Sequence, residues 1–420
     1  MSFNQYTWDL YKQTTIGIEM IKYFSDAGGY VLFKDYCPYA NFIPEDLYND
    51  WLENIYCYGV SDYDHPSLLE EAKDLYISLI TLGIRVEGQQ WLPANDFKNM
   101  LGIIQPMSYV LSQFAPEYFF PYLFLCRIFE LNKIADFFNI DLPNIPKRTD
   151  YKGRCMYYWE LCEVFYLFRK ENGLSPADLW SFLYDFAPNN LPSEKIDMPK
   201  PSQVWFIGGR LYQEDKSLES KFWQSSPETK KGDILVHYET SPISAITCIE
   251  ISLTDGVIDP LFRYYGCIYI GNRINIPHIT LKELQTDEYF FKHPLVRKNF
   301  QGVNGWSVNS ENYSELLRMI KTKGFDIEVL PKLYAPTLPK DVIIEYEHDV
   351  EQQLLEPLLN SMGWYENKDF IRQLPIQAGR GHRIFPDYAL HYGNKPNEER
   401  AKVLIEAKLC MRNNKEREEA

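Results

Sequence analysis

The chain has 420 residues, of which 45 % are hydrophobic, 24 % charged and 15 % aromatic. This composition is typical of a globular protein, and the length predicts two or three domains at roughly 100–200 residues each. No apolar run approaches the roughly 20 residues of a membrane helix, and the N-terminus lacks the basic start and apolar core of a signal peptide. We therefore expect a cytoplasmic protein with no membrane partner.

The net charge of −15 argues against indiscriminate nucleic-acid binding. Most of the acidity lies early in the chain: residues 1–199 carry 15 basic and 27 acidic side chains, whereas residues 200–325 carry 15 and 14. A middle region with that balance can still present a basic face. The eight cysteines form no CxxC pair, so we interpret them as reduced core residues rather than as a zinc site.

Residues 1–195 are predicted to form a mostly α-helical domain of unknown role. Leucines at helical spacing predict a helix over Ser67–Gly83, with Ser67 as the N-cap and Glu70 as its partner. Arg154–Gly173 ends in basic residues, Asn and Gly, which is typical of a helix end. Ser175–Pro188 begins with an N-cap serine, a proline and an aspartate. Aromatic packing explains the many Tyr, Phe and Trp residues, and no catalytic constellation is visible.

The pattern changes after a polar, proline-containing linker at residues 189–200. Short apolar or alternating runs follow, separated by turn residues, which predicts a small β-barrel with marginal helices over residues 200–325. The expected strands are Val204–Gly209, Asp233–Glu239, Ile243–Leu253 and Cys267–Asn272, with a helix at Tyr313–Gly324.

Several short motifs follow one another between residues 203 and 323: VWFIGG, KKGDILVHYETSP, Asp259–Pro260, ITLKEL and HPLVRKNFQGVNGWSV. Their order resembles the EVE domain, a member of the PUA-like barrel family. The resemblance implies a nucleic-acid-binding barrel that holds a base, often a modified one, in an aromatic pocket by stacking and edge hydrogen bonds. On this chain the implied pocket residues are Trp205, Tyr238 and Trp306, each with barrel core as its alternative role.

Residues 340–420 are predicted to form an α/β domain. Glu345–Trp364 has an apolar face at helical spacing and ends with a glycine, so we expect a helix there. Three strands are expected after it: Phe370–Gln377, Ile384–Tyr392 and Lys402–Leu409. A basic turn between the first two strands carries Arg380 and Arg383, which we expect to contact nucleic acid.

Acidic residues fall near the ends of these strands. Asp387 is near the start of the second strand, Glu406 is near the end of the third, and Glu347 is in the helix. Because neighbouring strands lie about 4.8 Å apart, such carboxylates can share one magnesium ion. Lys408, two residues after Glu406, projects to the same face and can position or help deprotonate the attacking water, or stabilise charge on the phosphate. This order of one helix and three strands, with acidic residues near the strand ends, predicts a PD-(D/E)xK phosphodiesterase. Ordinary strands with charged ends are the alternative.

The strings EHDVEQQLLEPLLNSMGW, PDYAL and VLIEAK resemble the N-terminal nuclease domain of type I restriction-enzyme R subunits and its stand-alone relatives. The resemblance implies Asp387 and Glu406 as metal ligands, Glu347 as a further carboxylate, Lys408 as the catalytic lysine, and Mg²⁺ (or Mn²⁺) as cofactor. That family continues with a helix and another strand, whereas this chain ends at Ala420. We therefore expect a truncated restriction-endonuclease-like domain with weak or absent cleavage.

Together these features predict a multidomain α+β protein: a helical domain, a PUA-like barrel and a nuclease-like domain. The predicted function is modification-dependent restriction of foreign DNA, with RNA as an open alternative substrate and a homodimer as an open assembly. A second hypothesis is a non-catalytic nucleic-acid-binding protein with a degenerate nuclease-like domain. A third, an RNA-processing factor, lacks a supporting motif such as a phosphate-binding glycine loop, GxSxG or HExxH.

Overall fold

The computed structural model describes residues 3–37, 44–82, 84–86, 89–92, 96–192, 198–210, 220–334, 342–379, 382–393 and 400–408. It is a mixed α/β protein with a helical N-terminal region, a curled half-barrel sheet and smaller sheets. The chain divides into two compact units: Met1–Ile196 with Val257–Cys267, and Asp197–Gly256 with Ile268–Ala420. Within the described ranges, no helix is long and apolar enough to cross a membrane.

The first unit is built mainly from helices packed through aromatic side chains. Phe33 and Tyr48, for example, stack with ring centroids 4.0 Å apart. Its elements are α1 (Gln5–Gln13), α2 (Thr15–Asp26), α3 (Gly29–Tyr36), α4 (Glu45–Ile55), α5 (Leu69–Leu82), β1 (Ile84–Val86), β2 (Gln89–Leu92), α6 (Phe97–Met100), α7 (Ile104–Phe114), α8 (Ile128–Phe138), α9 (Tyr151–Glu171), α10 (Pro176–Ser181) and α11 (Ala187–Asn190). Wider π-helical turns, Tyr56–Val60 and Phe182–Phe186, follow α4 and α10.

Capping chemistry sets the boundaries of these helices. At α10 the Ser175 hydroxyl accepts a hydrogen bond from the Asp178 amide at 3.1 Å, and the Asp178 carboxylate accepts one from the Ser175 amide at 3.0 Å. This confirms the predicted N-terminal cap. At α5, which begins at Leu69, the carboxylate that accepts from the Ser67 amide belongs to Glu71, at 2.7 Å, and not to the expected Glu70. The first helical residue lies one position later than an N-cap at Ser67 predicts, and the capping partner moves by one residue as well.

Arg154 in α9 holds a loop of the first unit through backbone carbonyls. Its side chain is 1 % exposed, and it donates to Pro260 O at 2.8 Å, Arg148 O at 2.9 Å and Phe262 O at 2.7 Å. We predict that Arg154→Lys lowers the free energy of unfolding by about 3 kcal/mol, because one ammonium cannot reach three carbonyls. Urea unfolding measures this, with the exposed Arg263→Lys as control. Equal losses in both variants would contradict the prediction.

A curled sheet of seven strands lies mainly in the second unit. Its spatial order is β4-β8-β6-β5-β3-β9, with β7 paired to β8. β3 and β5 run parallel, and the other described pairs are antiparallel. The strands are β3 (Val204–Gly209), β4 (Ser220–Gln224), β5 (Ile234–Glu239), β6 (Ala245–Ser252), β7 (Val257–Ile258), β8 (Gly266–Thr280) and β9 (Trp306–Val308). The strand predicted at Cys267–Asn272 continues to Thr280 because its later residues also pair with β6.

Apolar side chains cover both faces of this sheet. Val204 and Phe206 of β3 belong to a large core cluster that also contains residues of three short helices. The intervening Trp205 and Ile207 point to the other face, where they pack with Leu235 and two isoleucines of β8. Continuous burial of this kind explains why these strands are apolar at successive positions. The helices are α12 (Leu281–Thr286), α13 (Pro294–Arg297) and α14 (Ser310–Thr322).

The last part of the second unit is a helix followed by small sheets. The helical segment consists of α15 (Glu347–Val350), a π-helical turn (Glu351–Leu355) and α16 (Glu356–Ser361). The strands are β10 (Phe370–Arg372), β11 (Ile376–Gly379), β12 (His382–Ile384), β13 (Tyr388–Leu390) and β14 (Val403–Ile405). One sheet has the order β10-β13-β14, and β11 and β12 form a separate hairpin. The strand predicted at Phe370–Gln377 is therefore split, because Gln373 has a φ of +52° and a proline follows at position 375.

Candidate functional site

The antiparallel pair β13–β14 brings Asp387 and Glu406 to neighbouring positions. Tyr388 pairs with Ile405. Asp387, the residue before β13, therefore lies opposite Glu406, the residue after β14. Directly opposite residues of an antiparallel pair project from the same face. The Asp387 carboxylate is also anchored, since it accepts hydrogen bonds from the Ala407 amide at 2.6 Å and from the Gln373 side chain at 3.2 Å.

Lys408 contacts the two glutamates predicted to accompany it. Its Nζ lies 3.0 Å from Glu406 Oε1 and 3.6 Å from Glu347 Oε1, the latter on the first residue of α15. The hydrogen bond to Glu406, with the nearby charges of Glu347 and Asp387, raises the pKa of Lys408. The Lys408 side chain is therefore a cation in this arrangement. We call Glu347, Asp387, Glu406 and Lys408 the carboxylate–lysine group.

The donor atoms of the carboxylate–lysine group are of the kind that a hard divalent cation prefers. Its three carboxylates offer oxygen atoms, which are the ligands that Mg²⁺ and Mn²⁺ prefer. In this structure they do not bring one oxygen each within 4.8 Å of one another. Glu347 and Lys408 have 54 % and 35 % of their side chains exposed, so both are free to change rotamer. Joint binding of one ion by Glu347, Asp387 and Glu406 requires such a rearrangement.

The basic turn is only partly described. Arg383 lies on β12, where its side chain is exposed and its backbone pairs with Gln377. Arg380 falls outside the described residues. The contact of these arginines with nucleic acid remains a prediction.

The aromatic residues expected to line a base pocket lie on two faces of the curled sheet. Trp205 is buried, and its indole N–H donates to Asp233 Oδ2 at 2.8 Å. Tyr238 is buried on the opposite face and stacks on Phe300, with centroids 4.0 Å apart. Trp306 is half-buried and packs against the Tyr238 side. A single pocket cannot be lined by both Trp205 and Tyr238 in this arrangement.

Asp233 explains why Trp205 is held in place. This buried carboxylate also accepts from the Lys230 amide at 2.8 Å and the Gln203 amide at 3.2 Å, which joins the starts of β3 and β5. Burial raises the pKa of Asp233 to about 6, against the opposing effect of these hydrogen bonds. The Gly-Asp motif before β5 thus has a structural role, because the Asp233 carboxylate holds the starts of β3 and β5 together.

A second group of polar side chains, buried within the curled sheet, was not predicted from the sequence. Glu250 on β6 accepts a hydrogen bond from Arg273 Nε at 2.9 Å, and Lys221 Nζ lies 3.6 Å away. The second Glu250 oxygen lies 3.0 Å from His237 Nδ1 on β5. The available signal was an ionisable residue in the interior of each of two largely apolar strands, ILVHYE and AITCIEIS. Cys248 lies opposite His237, and the ligand atoms of His237, Cys248 and Glu250 lie within 4.8 Å of one another.

The charges of this group stabilise Glu250 as a carboxylate. Burial by itself raises the pKa of Glu250, but the His237 hydrogen bond and the charges of Lys221 and Arg273 hold it well below its ordinary value. Burial lowers the pKa of His237, so the imidazole is neutral. The unfolded chain takes up a proton at Glu250 near pH 4.5 that the folded chain does not. The stabilising contribution is therefore full above that pH and is lost as the pH falls below it.

We predict that Glu250→Gln lowers the free energy of unfolding at neutral pH by about 3 kcal/mol, because it leaves two cations without their buried partner. Stability of the variant should also depend less on pH below about 4.5. Urea unfolding between pH 3 and pH 7 is the measurement, and the exposed Glu288→Gln is the matched control. An unchanged acid dependence in Glu250→Gln would contradict the prediction.

Comparison with known proteins gives no family assignment. No family model matches the chain, and no curated protein sequence matches it. Three solved structures are weakly similar, each with a TM-score of 0.25: Rpa0253 from Rhodopseudomonas palustris, a hypothetical protein from Leishmania major and Atu2648 from Agrobacterium tumefaciens. Their sequences are 14 %, 12 % and 18 % identical, covering 29 %, 30 % and 28 % of this chain and 94 %, 98 % and 92 % of their own. Similarity at this level carries no argument about fold or function.

Proposed function

We propose that the carboxylate–lysine group is the site of a metal-dependent phosphodiesterase that acts on nucleic acid. The observation that carries this proposal is the contact of Lys408 Nζ with Glu406 at 3.0 Å and Glu347 at 3.6 Å, beside Asp387 on the neighbouring strand. Such a concentration of carboxylates around one lysine matches the needs of phosphodiester hydrolysis. Oxygen ligands hold a hard cation, and an ammonium stabilises charge on the phosphate.

Each residue has a defined part in the proposed reaction. Asp387 and Glu406 hold the cation, with Glu347 as the third carboxylate from the helix. Lys408 donates hydrogen bonds to a non-bridging phosphate oxygen, where negative charge grows in the transition state. A bound Mg²⁺ or Mn²⁺ supplies Lewis-acid polarisation of the phosphate and lowers the pKa of a water. The Ala407 amide keeps Asp387 directed along the end of β14.

The curled sheet is proposed to bind the nucleic acid that is cleaved. DNA carrying a modified base is the proposed substrate, because coupling base recognition to cleavage restricts foreign DNA without a sequence-reading helix. The charge of the region that contains the curled sheet supports this assignment. Residues 200–325 carry 15 basic and 14 acidic side chains, whereas the whole chain has a net charge of −15. We place the activity in the cytoplasm, where reduced cysteines persist.

A second candidate is a nucleic-acid-binding protein without catalysis. The spacing of Glu347, Asp387 and Glu406, which do not converge within 4.8 Å, favours this candidate. In that case Lys408 stays paired with Glu347 and Glu406 and no ion binds. The presence of all three carboxylates together with the lysine favours the phosphodiesterase.

The two candidates are separated by incubating the chain with end-labelled duplex DNA in Mg²⁺ or Mn²⁺. The panel contains unmodified DNA and DNA with 5-methylcytosine, 5-hydroxymethylcytosine or N6-methyladenine, with EDTA as the metal-free control. The proposal predicts cleavage that EDTA abolishes. Binding without cleavage on every duplex would leave the second candidate, and cleavage in EDTA would exclude the metal-dependent mechanism.

A further inference from the structure

A row of polar side chains crosses the small sheet β10-β13-β14 at the proposed metal site. Arg372 on β10 pairs with Tyr388 on β13, and this register continues so that Gln373 lies opposite Asp387. Asp387 in turn lies opposite Glu406 at the end of β14. Because directly opposite residues project from the same face, the row places one neutral amide beside two acidic side chains. The row thus adds Gln373 to the two acidic residues predicted from the sequence.

The Asp387 carboxylate is held by a donor on each of its oxygens. Gln373 Nε2 donates to Asp387 Oδ1 at 3.2 Å, and the Ala407 amide donates to Asp387 Oδ2 at 2.6 Å. A carboxylate oxygen has two lone pairs, so each oxygen can keep its hydrogen bond and still bind a cation. Rotation of the carboxylate about its Cβ–Cγ bond would break both hydrogen bonds. The two donors therefore fix the direction in which Asp387 presents its oxygens.

The backbone at Gln373 has a conformation that favours glycine. Its φ is +52°, which is uncommon for a residue with a long side chain, and its amide donates to Pro386 O at 3.1 Å. The next residue, Leu374, is buried, so the chain leaves the sheet for the core at this point. Glycine would meet this backbone requirement with less strain. A glutamine at such a position, beside a proposed metal ligand, indicates a use for its side chain.

The glutamates of the carboxylate–lysine group are held less firmly than Asp387. Glu347 and Glu406 have 54 % and 39 % of their side chains exposed, and both contact Lys408. These two carboxylates and that of Asp387, all within the described ranges, do not bring one oxygen each within 4.8 Å of one another. Asp387 is half-buried and anchored through both oxygens. The rearrangement that joint binding of one ion requires therefore falls on the glutamates.

We infer that Gln373 is a positioning residue that holds Asp387 as the fixed ligand of the metal site, and that Glu347 and Glu406 close onto this ligand when a divalent cation binds. This inference rests on the proposed function and assigns the order in which its metal site is completed. Gln373 acts through Asp387 and does not itself contact the ion. Partners that orient a ligating side chain typically contribute about 10- to 100-fold to metal affinity.

Binding of Mn²⁺ to the full chain tests the inference without requiring cleavage. Free Mn²⁺ is measured by electron paramagnetic resonance during titration of wild type, Gln373→Leu and Gln373→Gly. Both variants lose the amide donor and should bind Mn²⁺ about tenfold more weakly than wild type. Gln285→Leu is the matched control, because Gln285 is also exposed and its amide donates to Asn299 Oδ1 at 3.0 Å. This control should bind Mn²⁺ as tightly as wild type.

Two further measurements separate positioning from a general structural role. Gln373→Gly should unfold in urea at a midpoint no lower than that of wild type, because glycine adopts a φ of +52° without strain. In cleavage by Gln373→Gly, the Mg²⁺ concentration that gives half the maximal rate should rise about tenfold. The rate at saturating Mg²⁺ should fall less than about threefold, because excess cation restores the occupancy of the site.

Two results would overturn the inference. One is Mn²⁺ binding by Gln373→Leu and Gln373→Gly that matches wild type, and the other is a loss of Mn²⁺ affinity in Gln373→Gly that accompanies a loss of folding stability. If wild type binds Mn²⁺ and Asp387→Asn abolishes that binding, the proposed metal site stands after either result and only the role of Gln373 is lost. Failure of wild type to bind Mn²⁺ would remove the positioning role and the proposed function together.

Discussion

Replacing Lys408 with alanine is expected to lower kcat for metal-dependent DNA cleavage about 100- to 1,000-fold, the range seen when one charge-stabilising donor is removed from an active site. The physical reason is the position of the ammonium, which contacts Glu406 and Glu347 beside Asp387. Alanine leaves those carboxylates without a counter-charge and the transition state without a donor. Single-turnover cleavage of end-labelled duplex DNA in Mg²⁺ measures the effect.

Lys332→Ala is the matched control for Lys408→Ala. Lys332 is also an exposed lysine in contact with a glutamate, Glu328, four residues earlier in the chain. Its loss should leave the cleavage rate unchanged, because exposed pairs of this kind contribute little. If Lys408→Ala cleaves as fast as Lys332→Ala, the assignment of the lysine is wrong.

Replacing Asp369 with alanine is expected to lower the free energy of unfolding by about 3–5 kcal/mol, as when one partner of a buried ion pair is removed. Asp369 forms an ion pair with Lys230, and the side chains are only 3 % and 17 % exposed. The second Asp369 oxygen accepts from the Tyr365 amide at 3.0 Å, and the Lys230 ammonium lies 5.6 Å from the Trp364 ring centroid. Burial lowers the pKa of Lys230, and the nearby carboxylates of Asp255 and Asp233 oppose this shift.

Urea unfolding monitored by tryptophan fluorescence is the measurement for Asp369→Ala. Lys368→Ala provides an internal comparison, because the neighbouring pair Lys368–Asp255, at 2.8 Å, is exposed and should contribute less than about 1 kcal/mol. A double-mutant cycle with Lys230→Met isolates the energy of the buried pair. Equal effects of Asp369→Ala and Lys368→Ala would show that burial does not strengthen the pair.

Local signals in the sequence identified several elements of the fold. The cap at Ser175 was predictable because its chemistry involves residues only three positions apart. Strand β3 was predictable from its six-residue apolar run, and β13 and β14 lie within predicted strands. The split of β10 from β11 was missed, because the left-handed conformation of Gln373 leaves no compositional mark and the signal from Pro375, within the predicted strand, was not used.

Features that depend on pairing between distant residues were not accessible from the sequence. His237 and Glu250 meet because β5 and β6 pair in one register, and no local pattern fixes that register. The same limit applies to Trp205, whose indole is directed by Asp233, 28 residues further on. By contrast, the neighbouring positions of Asp387 and Glu406 followed from placing one at the start and the other at the end of adjacent antiparallel strands.

The central claim is that Asp387 and Glu406 hold a divalent cation beside Lys408, and Mn²⁺ binding tests it most directly. Free Mn²⁺ is quantified by electron paramagnetic resonance during titration of wild type and of the double variant Asp387→Asn, Glu406→Gln. We predict a site in wild type whose affinity falls at least about tenfold in the variant, since both charged ligands are removed. Equal Mn²⁺ binding by the two proteins would contradict the assignment of this group as a metal site.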